Sequence, residues 1–319
     1  MFYECDGKVC LVTGGAGFIG SHFVEKLISC GARVIVVDNF VTGSRKNLEH
    51  ITSKNLEIIE ADASQPVSSY LKEDVSFIFH LASPASPDGY MKEPEVTYMV
   101  NSMGTHHLCE YARKTGAKLL FTSTSEIYGD PLEHPQKETY WGNVNPTGPR
   151  ACYDESKRFG EMVVNIFQKR DQIDARVVRI FNTYGPRMGL EDGRVIPNFL
   201  SQAIKNEPIT VHGDGTQTRS FCYVDDLVKY ILRAMIIEKA KGETINIGRP
   251  GELTMKELAE KVKQISGSSS QIKLVDGRDE DISQREPDIS KAISILEYEP
   301  KVDVEEGLRK TIEYFRSVL

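Results

Sequence analysis

Tyr153 and Lys157 are the residues of this chain whose types and spacing point most clearly to chemistry. In a helix, positions i and i+4 share one face, so both side chains can reach the same ligand. A phenol with its ordinary pKa of about 10 is a poor base, and we expect the Lys157 ammonium to lower that pKa. Thr124, in the upstream TSTSE stretch, can hydrogen-bond the substrate hydroxyl that Tyr153 contacts. The three residues predict proton abstraction from an alcohol; the plainer interpretation is a surface tyrosine and a polar loop.

Three glycines, Gly14, Gly17 and Gly20, lie between a predicted strand at residues 9–13 and a predicted helix at residues 21–29. Glycine permits a tight turn and a close approach to a pyrophosphate, which the N–H groups and dipole of the helix N-terminus then bind. Neither this spacing nor Y-x-x-x-K is specific alone. Together and in this order, they predict a nicotinamide dinucleotide that takes a hydride while Tyr153 takes the proton. We expect its positively charged ring to act with Lys157 in lowering the pKa of Tyr153. The plainer interpretation is a glycine-rich turn that binds no ligand.

An acidic residue, Asp38, ends the second predicted strand. Its carboxylate can accept hydrogen bonds from both ribose hydroxyls, whereas it repels a 2′-phosphate. Because Asn39 follows instead of an arginine, the sequence favours NAD over NADP, and Arg45 keeps NADP as the alternative. The predicted cofactor-binding residues are Gly14, Gly17, Phe18, Ile19, Gly20, Asp38, Asn39, Thr42, Gly43, Asp62, Ala63, Leu81, Ala82, Ser83, Thr122, Tyr153 and Lys157.

Short β-branched runs alternate with helical patterns through the first half of the chain. The alternation predicts an α/β fold, a Rossmann doubly wound parallel sheet, because each crossover helix must return over the sheet. Such sheets bind ligands at the carboxyl ends of their strands, where these motifs fall. Strands are predicted at residues 9–13, 33–37, 56–60, 77–81, 118–122 and 176–180, and helices at 21–29, 95–115 and 154–170.

The pattern becomes turn-rich after about residue 180, with helices predicted near 195–205, 225–238, 254–266 and 303–316. We therefore predict an NAD-binding Rossmann domain over residues 1–180. A smaller mixed α/β lobe over residues 181–319 closes on the cofactor face and binds the substrate, and segments of the two can interleave.

The composition narrows the class of function. A net charge of −7 argues against a nucleic-acid partner, which requires a basic surface. No apolar run approaches the roughly 20 residues that span a bilayer, and the N-terminal residues lack the apolar region of a signal peptide, so we expect no membrane partner. The six cysteines are scattered without metal-ligand spacing, which predicts reduced thiols in the cytoplasm and no metal.

Longer stretches resemble one family, the extended short-chain dehydrogenases/reductases of the NAD-dependent epimerase/dehydratase type. Within it, the chain is most similar to the UDP-glucuronate decarboxylases. This resemblance implies a tightly bound, recycled NAD and a nucleotide-sugar substrate, UDP-glucuronate, converted to UDP-xylose through a 4-keto intermediate; we also expect a homodimer. The matching stretches are DNFVTGSRKNLEH (38–50), HLASPASP (80–87), TSTSEIYGDPLEHPQ (122–136), YWGNVNPTGPRACYDESKR (140–158), RIFNTYGPRM (179–188), DGRVIPNF (192–199), GDGTQTRSFCYVDDL (213–227) and REPDI (285–289).

The resemblance also implies roles for individual residues. Tyr153 deprotonates the sugar 4-hydroxyl as NAD takes the C4 hydride, the β-keto acid loses its carboxylate, and NADH returns the hydride. Glu126 positions the ring and handles the proton near C5, with water or Arg285 as alternative donors. A solvated surface charge is the plainer interpretation of each arginine, most of all Arg194. The implied catalytic residues are Thr124, Ser125, Glu126, Tyr153 and Lys157, and the implied substrate-binding residues are Tyr90, Asn182, Arg194, Asn198, Arg219 and Arg285.

Ser125 separates this hypothesis from its nearest rival. Dehydratases of the family usually carry an acid there to expel the 6-hydroxyl, whereas a decarboxylase substrate already bears a carboxylate that a second one would repel. A 4,6-dehydratase is therefore disfavoured by Ser125 and a 4-epimerase by Glu126. A non-catalytic NAD-sensing protein is the third alternative, and it has no need of a base such as Tyr153.

Two short segments depart from the family pattern. Asp88 and Gly89 replace the usual Pro-Asn or Pro-His before Tyr90, and Met99 and Val100 occupy a stretch where a lysine is common. The reaction class is unaffected, but the choice of sugar depends on the altered loop around Tyr90.

Overall fold

A computed structural model describes residues 3–190, 192–277 and 282–319. Its strands are β1 Val9–Thr13, β2 Arg33–Asp38, β3 Leu56–Glu60, β4 Phe77–His80, β5 Lys118–Thr124, β6 Ala175–Ile180, β7 Thr183–Tyr184, β8 Ile209–His212, β9 Thr218–Ser220, β10 Cys222–Tyr223, β11 Thr244–Ile247, β12 Glu252–Thr254, β13 Ile272–Val275 and β14 Gln284–Arg285. Its α-helices are α1 Phe18–Ser29, α2 Pro87–Lys92, α3 Pro94–Met99, α4 Thr105–Thr115, α5 Ala151–Asp171, α6 Val195–Ile204, α7 Val224–Ile236, α8 Met255–Ser266, α9 Ser290–Leu296 and α10 Val304–Val318.

A seven-stranded parallel sheet forms the centre of the molecule, with strand order β11-β6-β5-β4-β1-β2-β3. Both faces of this sheet are buried, so its strands consist of nearly continuous apolar residues. Along β1, Val12 packs into one core cluster and Leu11 into the other, as the two-residue period of a strand requires. The predicted Rossmann doubly wound fold is confirmed, and the predicted strands of the first half differ from the observed ones by at most two residues at an end.

The helix predicted at residues 95–115 is interrupted by a π-helical segment, Val100–Gly104. The wider turn allows Gly104 to approach the Ala63 carbonyl, where a Cβ atom would lie only 2.8 Å from its oxygen. It also directs buried Asn101 inward, so that its amide donates to the hydroxyls of Ser83 and Ser156, each at 3.1 Å. This segment therefore connects α5 to the loop after β4.

The second half of the chain forms small sheets that pair β10 with β7, β13 with β8, and β9 with both β12 and β14. β11 is the exception, because it pairs with β6 and extends the central sheet. The chain beyond residue 180 thus contributes to both parts of the fold, and the boundary at residue 180 stays a prediction. The short strands escaped the sequence analysis because two- and three-residue strands have no periodicity to detect. Helix α9 was missed because seven residues span only about two turns.

Asp226, buried in α7, connects that helix to the segment before α10. Its carboxylate accepts hydrogen bonds from the Tyr298 hydroxyl at 2.5 Å and from the backbone N–H groups of Lys301 and Val302 at 2.8 and 2.7 Å. Burial raises the pKa of Asp226, but these donors outweigh burial and lower it. The carboxylate form therefore stabilises the fold above the ordinary aspartate pKa, and this contribution is lost as the pH falls below it.

We predict that Asp226→Ala lowers the free energy of unfolding by about 3 kcal/mol, because three donors lose their acceptor in the interior. Urea unfolding followed by circular dichroism measures the change. Asp225→Asn, at the exposed neighbouring position, is the control and should change stability by less than about 0.5 kcal/mol. Equal effects of the two substitutions would contradict the role given to Asp226.

Candidate active site

A cleft of about 690 Å³ opens at the carboxyl ends of β4, β5 and β6. Side chains from both halves of the chain line it, including all the catalytic candidates: Thr124, Ser125, Glu126, Tyr153 and Lys157. The substrate-binding candidates line it as well: Tyr90, Asn182, Arg194, Asn198, Arg219 and Arg285. Of the predicted cofactor residues, Ile19, Leu81, Ser83 and Thr122 are also part of the lining.

The glycine turn lies at the same edge of the sheet, between β1 and α1. Gly14 adopts a left-handed φ of 72°, and a Cβ there would lie 2.6 Å from the Cα of Ala82. A Cβ on Gly20 would lie 2.0 Å from the Gly14 oxygen. Both positions therefore require glycine. Helix α1 begins at Phe18, and no side chain of the described residues caps its N-terminus, which leaves its first N–H groups for an anion.

Asp38, at the end of β2, is buried and held by the turn. Its two oxygens accept from the N–H groups of Ala16 and Phe40, both at 2.9 Å. Burial raises the pKa of the Asp38 carboxyl, and these two hydrogen bonds oppose the rise. Each oxygen keeps a lone pair for a ribose hydroxyl. Arg45, the residue on which the alternative of NADP as cofactor rested, forms an ion pair with Glu60 at 2.7 Å.

The remaining cofactor candidates follow β2, β3 and β4 along this edge. A Cβ on Gly43 would lie 2.9 Å from an Asp38 oxygen, so Gly43 also permits the loop to pass close to the carboxylate. Asp62, after β3, accepts from the backbone N–H of Ser64 at 2.8 Å. The glycine cradle, the uncapped helix and the Asp38 carboxylate fit a dinucleotide. Gly17, Phe18, Asn39, Thr42 and Ala63 belong to the same loops.

Tyr153 and Lys157 lie one turn apart on α5, and both are buried against β5. The Lys157 Nζ donates to the Thr122 carbonyl at 2.7 Å, and the Thr124 side chain lines the cleft beside the Tyr153 phenol and acts to lower the pKa of that phenol. The predicted set of threonine, tyrosine and lysine is therefore assembled by the crossing of α5 over the end of β5.

The pKa values differ from the sequence prediction in one respect. Burial raises the pKa of Tyr153, and Thr124 only partly opposes the rise. The direction is opposite to the predicted one, which relied on Lys157 and a positively charged nicotinamide ring together. Burial lowers the pKa of Lys157 to about 7, so its positive charge is itself weakened in this site.

Glu126 follows β5 in a 3₁₀ turn, and two arginines hold its carboxylate. Arg285 donates to it from both terminal nitrogens, at 2.5 and 3.1 Å. Arg150 donates to it from one terminal nitrogen. Burial raises the pKa of Glu126, but Arg285 and Arg150 outweigh it and lower the pKa to about 2. Glu126 is therefore an anion at neutral pH, which suits the predicted positioning role but not the donation of a proton.

The ring of Tyr90 stacks on that of Tyr153. The ring centroids of Tyr90 and Tyr153 are 5.1 Å apart and the planes differ by 7°. Within the described part of the chain, the buried Tyr90 hydroxyl has no hydrogen-bond partner. Asp88, one of the departures from the family pattern, also faces the cleft.

The arginines differ in how they are held. Arg194, the N-cap residue of α6, pairs with Asp192 with Nε at 2.8 Å from the carboxylate. Arg219 and Arg285 lie opposite each other on β9 and β14. The last pairing was inaccessible to sequence analysis, because β14 has only two residues. Arg150 was missed as a site residue, although a cation one turn before Tyr153 was a signal for it.

A group of metal-ligating types lies outside the cleft lining. Nε2 of His134 is 3.0 Å from a Glu252 oxygen and 3.5 Å from a Glu286 oxygen. The Gln136 amide lies 3.3 Å from Nδ1, and with this amide as donor Nε2 carries the proton. In that arrangement Nε2–H donates a hydrogen bond to Glu252 and is not free to bind a metal ion.

Residues 10–248 match the NAD dependent epimerase/dehydratase family, and the chain belongs to this family. It is 50% identical over 317 residues to UDP-glucuronic acid decarboxylase 6 of Arabidopsis thaliana, covering 99% of this chain and 90% of that protein. It is 48% identical to UDP-glucuronic acid decarboxylase 1 of Xenopus tropicalis, over 99% of this chain and 74% of that protein.

Among solved structures, it is similar to a UDP-glucuronic acid 4-epimerase from Bacillus cereus in complex with UDP-glucuronic acid and NAD. That likeness has a TM-score of 0.85 and 28% identity, and it covers 98% of this chain and 100% of the epimerase. The cofactor of the family is NAD. In the described ranges, none of the helices has the length and apolar character needed to cross a membrane.

We predict that Asp38→Ala raises the Kd for NAD at least about tenfold and leaves the Kd for NADP unchanged or lower, because the carboxylate binds a ribose and repels a 2′-phosphate. Isothermal titration calorimetry with each dinucleotide measures the effect. Asp38→Asn, which keeps an acceptor for Ala16 and Phe40, separates charge from turn structure. A preference of the unmodified protein for NADP would rule the argument out.

Proposed function

We propose that this chain converts UDP-glucuronate to UDP-xylose and carbon dioxide, with a tightly bound NAD that is regenerated in each turnover. The observation that carries the proposal is that one cleft contains Tyr153 and Thr124 together with Ser125 and an anionic Glu126. Decarboxylases at about half identity over nearly the whole chain support the same reaction.

The first task of the site is to remove the proton from the sugar 4-hydroxyl. Tyr153 takes this proton, and Thr124, beside the phenol in the cleft, orients the phenol and the sugar hydroxyl. Bound NAD supplies the chemistry of accepting a hydride from C4 and returning it. The hydrogen bond of Lys157 to the Thr122 carbonyl holds α5 against β5, and this fixes the position of Tyr153 one turn earlier. The Lys157 ammonium, with a pKa of about 7, is a nearby cation.

The second task follows from the 4-keto group. With a ketone at C4, the C6 carboxylate is that of a β-keto acid, so the C5–C6 bond breaks and its electron pair forms an enolate on O4. Tyr153 and Thr124 stabilise that oxygen by hydrogen bonding. A proton then adds to C5, and Tyr153 returns its proton to O4. We assign the donation to C5 to water, because Glu126 is ionised at neutral pH and both terminal nitrogens of Arg285, the other candidate, already donate to Glu126.

The diphosphate of the substrate is negatively charged and is bound by cationic and amide side chains. We assign the diphosphate to Arg219 and Arg194 with Asn182 and Asn198, because guanidinium groups match phosphate oxygens. Tyr90 contacts the sugar. Arg285, whose terminal nitrogens are on Glu126, holds that carboxylate in place.

Ser125 also distinguishes the proposed function from that of a 4,6-dehydratase. Ser125 is not an acid, so the site has no second carboxyl there to expel a 6-hydroxyl as a 4,6-dehydratase does. A 4-epimerase acts on the same class of substrate in the solved relative, and the product therefore decides between the two.

We predict that incubation with UDP-glucuronate and NAD releases one carbon dioxide per UDP-pentose formed, with no net accumulation of NADH. Mass spectrometry of the nucleotide sugar and absorbance at 340 nm together measure this. A 4-epimer of unchanged mass, or a 4-keto-6-deoxy sugar, as sole product would overturn the assignment.

We further propose that the chain is a homodimer in the cytoplasm. Phe159, Met162 and Ile166 of α5 are each about two-fifths exposed or more, and their spacing places them on one face. Helix α3 and the π segment, which carry exposed Tyr98 and Met103, pack against α5. A second copy covers this apolar surface best. All six cysteines are free, which supports a reducing compartment.

Met162→Glu is predicted to shift the protein from dimer to monomer, because it places a charge in the centre of the apolar face. Sedimentation equilibrium at about 10 µM measures the mass. Glu155→Gln, which changes the charge of a partly buried side chain on the same helix, is the control and should remain dimeric. A monomeric unmodified protein would contradict the proposal.

A further inference from the structure

Arg150 is a charged residue of the cleft to which the mechanism above assigns no task. It is the N-cap residue of α5, and its carbonyl accepts from the N–H of Tyr153 at 3.0 Å. Its side chain lines the cleft beside Glu126 and is 21% exposed. It therefore starts from the same turn as the catalytic tyrosine and can be reached by a ligand.

The Arg150 guanidinium has donors to spare. One terminal nitrogen donates to Glu126. Its Nε is buried and finds no hydrogen-bond partner in the parts of the chain described, and a carboxylate oxygen of Asp154 is 4.0 Å away. A buried donor without an acceptor is costly, so a further acceptor at this place is favoured.

Arg285, the other cation on Glu126, is less suited to a ligand. Its Nε is also without a partner in the described residues, but its side chain is only 3% exposed. Both of its terminal nitrogens donate to Glu126. Arg150 is consequently the more accessible of the two guanidinium groups.

The charges around Glu126 do not balance. Two guanidinium groups flank the Glu126 carboxylate, and a second carboxyl, that of Asp154, lies 4.0 Å from Arg150. Burial raises the pKa of Asp154 to about 7, so this carboxyl offsets the second guanidinium only in part and a partial positive charge faces the cleft. In the proposed substrate, C6 is two bonds from C4, whose hydroxyl meets Tyr153. The C6 carboxylate must therefore lie near the first turn of α5, where Arg150 begins.

We propose that Arg150 binds the C6 carboxylate of the substrate and so selects a uronic acid over a neutral hexose; this inference rests on the proposed function. A guanidinium fork matches the two oxygens of a carboxylate. Glu126 shares the same guanidinium and moderates its attraction for the carboxylate. This matters because strong stabilisation of the ground-state carboxylate opposes its loss as carbon dioxide.

The test compares a ligand that has the carboxylate with one that lacks it. UDP-glucuronate and UDP-xylose are titrated into the NAD-bound protein by calorimetry, with the unmodified chain, Arg150→Gln and Arg150→Lys. We expect Arg150→Gln to weaken UDP-glucuronate binding about 10- to 100-fold and to change UDP-xylose binding less than about twofold. Arg150→Lys keeps the charge without the fork, and its loss should be intermediate.

Equal weakening of both ligands would assign Arg150 a structural role and overturn the proposal, as would unchanged binding of UDP-glucuronate. Arg150→Lys provides the same comparison if Arg150→Gln does not fold. Carbon dioxide release by the unmodified chain is measured in parallel. Its absence defeats the proposed function, whereas release together with unchanged ligand preference in the variants defeats the role of Arg150 alone.

Discussion

The crossing of α5 over the end of β5 is the constraint on which the site depends. It buries the Lys157 ammonium against the Thr122 carbonyl and thereby fixes, one turn earlier, the Tyr153 phenol beside Thr124. The parallel sheet makes this possible, because the carboxyl ends of β1, β4 and β5 meet at one edge. The glycine turn and the side chains of Thr124, Tyr153 and Lys157 are then held at the same edge, although they are far apart in the sequence.

Burial sets the charges of the site, and it acts differently on each group. It lowers the pKa of Lys157 to about 7 and raises that of Tyr153, so a dry site does not by itself make the phenol a base. Glu126 is the opposite case, because Arg285 and Arg150 overcome burial and keep it ionised. The cleft thus contains a phenol whose pKa is raised by burial, beside a carboxylate that two arginines keep ionised.

The sequence predicted what depends on local pattern. Buried β-branched runs gave the strands of the first half, the glycine spacing gave the turn before α1, and the i,i+4 spacing gave the shared face of Tyr153 and Lys157. It could not place β11 in the central sheet, since that pairing joins distant parts of the chain. Nor could it predict the ion pairs of Arg150 and Arg285 with Glu126, because these join distant parts of the chain. It also missed the rise in the pKa of Tyr153, because that rise follows from burial in the folded protein. The individual roles of the site residues stay predictions.

Turnover by Tyr153→Phe tests the central claim most directly, namely that this phenol carries the proton of the 4-hydroxyl. The substitution removes one oxygen and keeps the ring that stacks on Tyr90. The account predicts that kcat for carbon dioxide release falls at least about 100-fold while NAD and UDP-glucuronate bind nearly as before. Tyr90→Phe, the same change in the stacked ring, should cost less. A Tyr153→Phe variant that retains more than about a tenth of the unmodified activity would contradict the account, because general base catalysis is worth more than that.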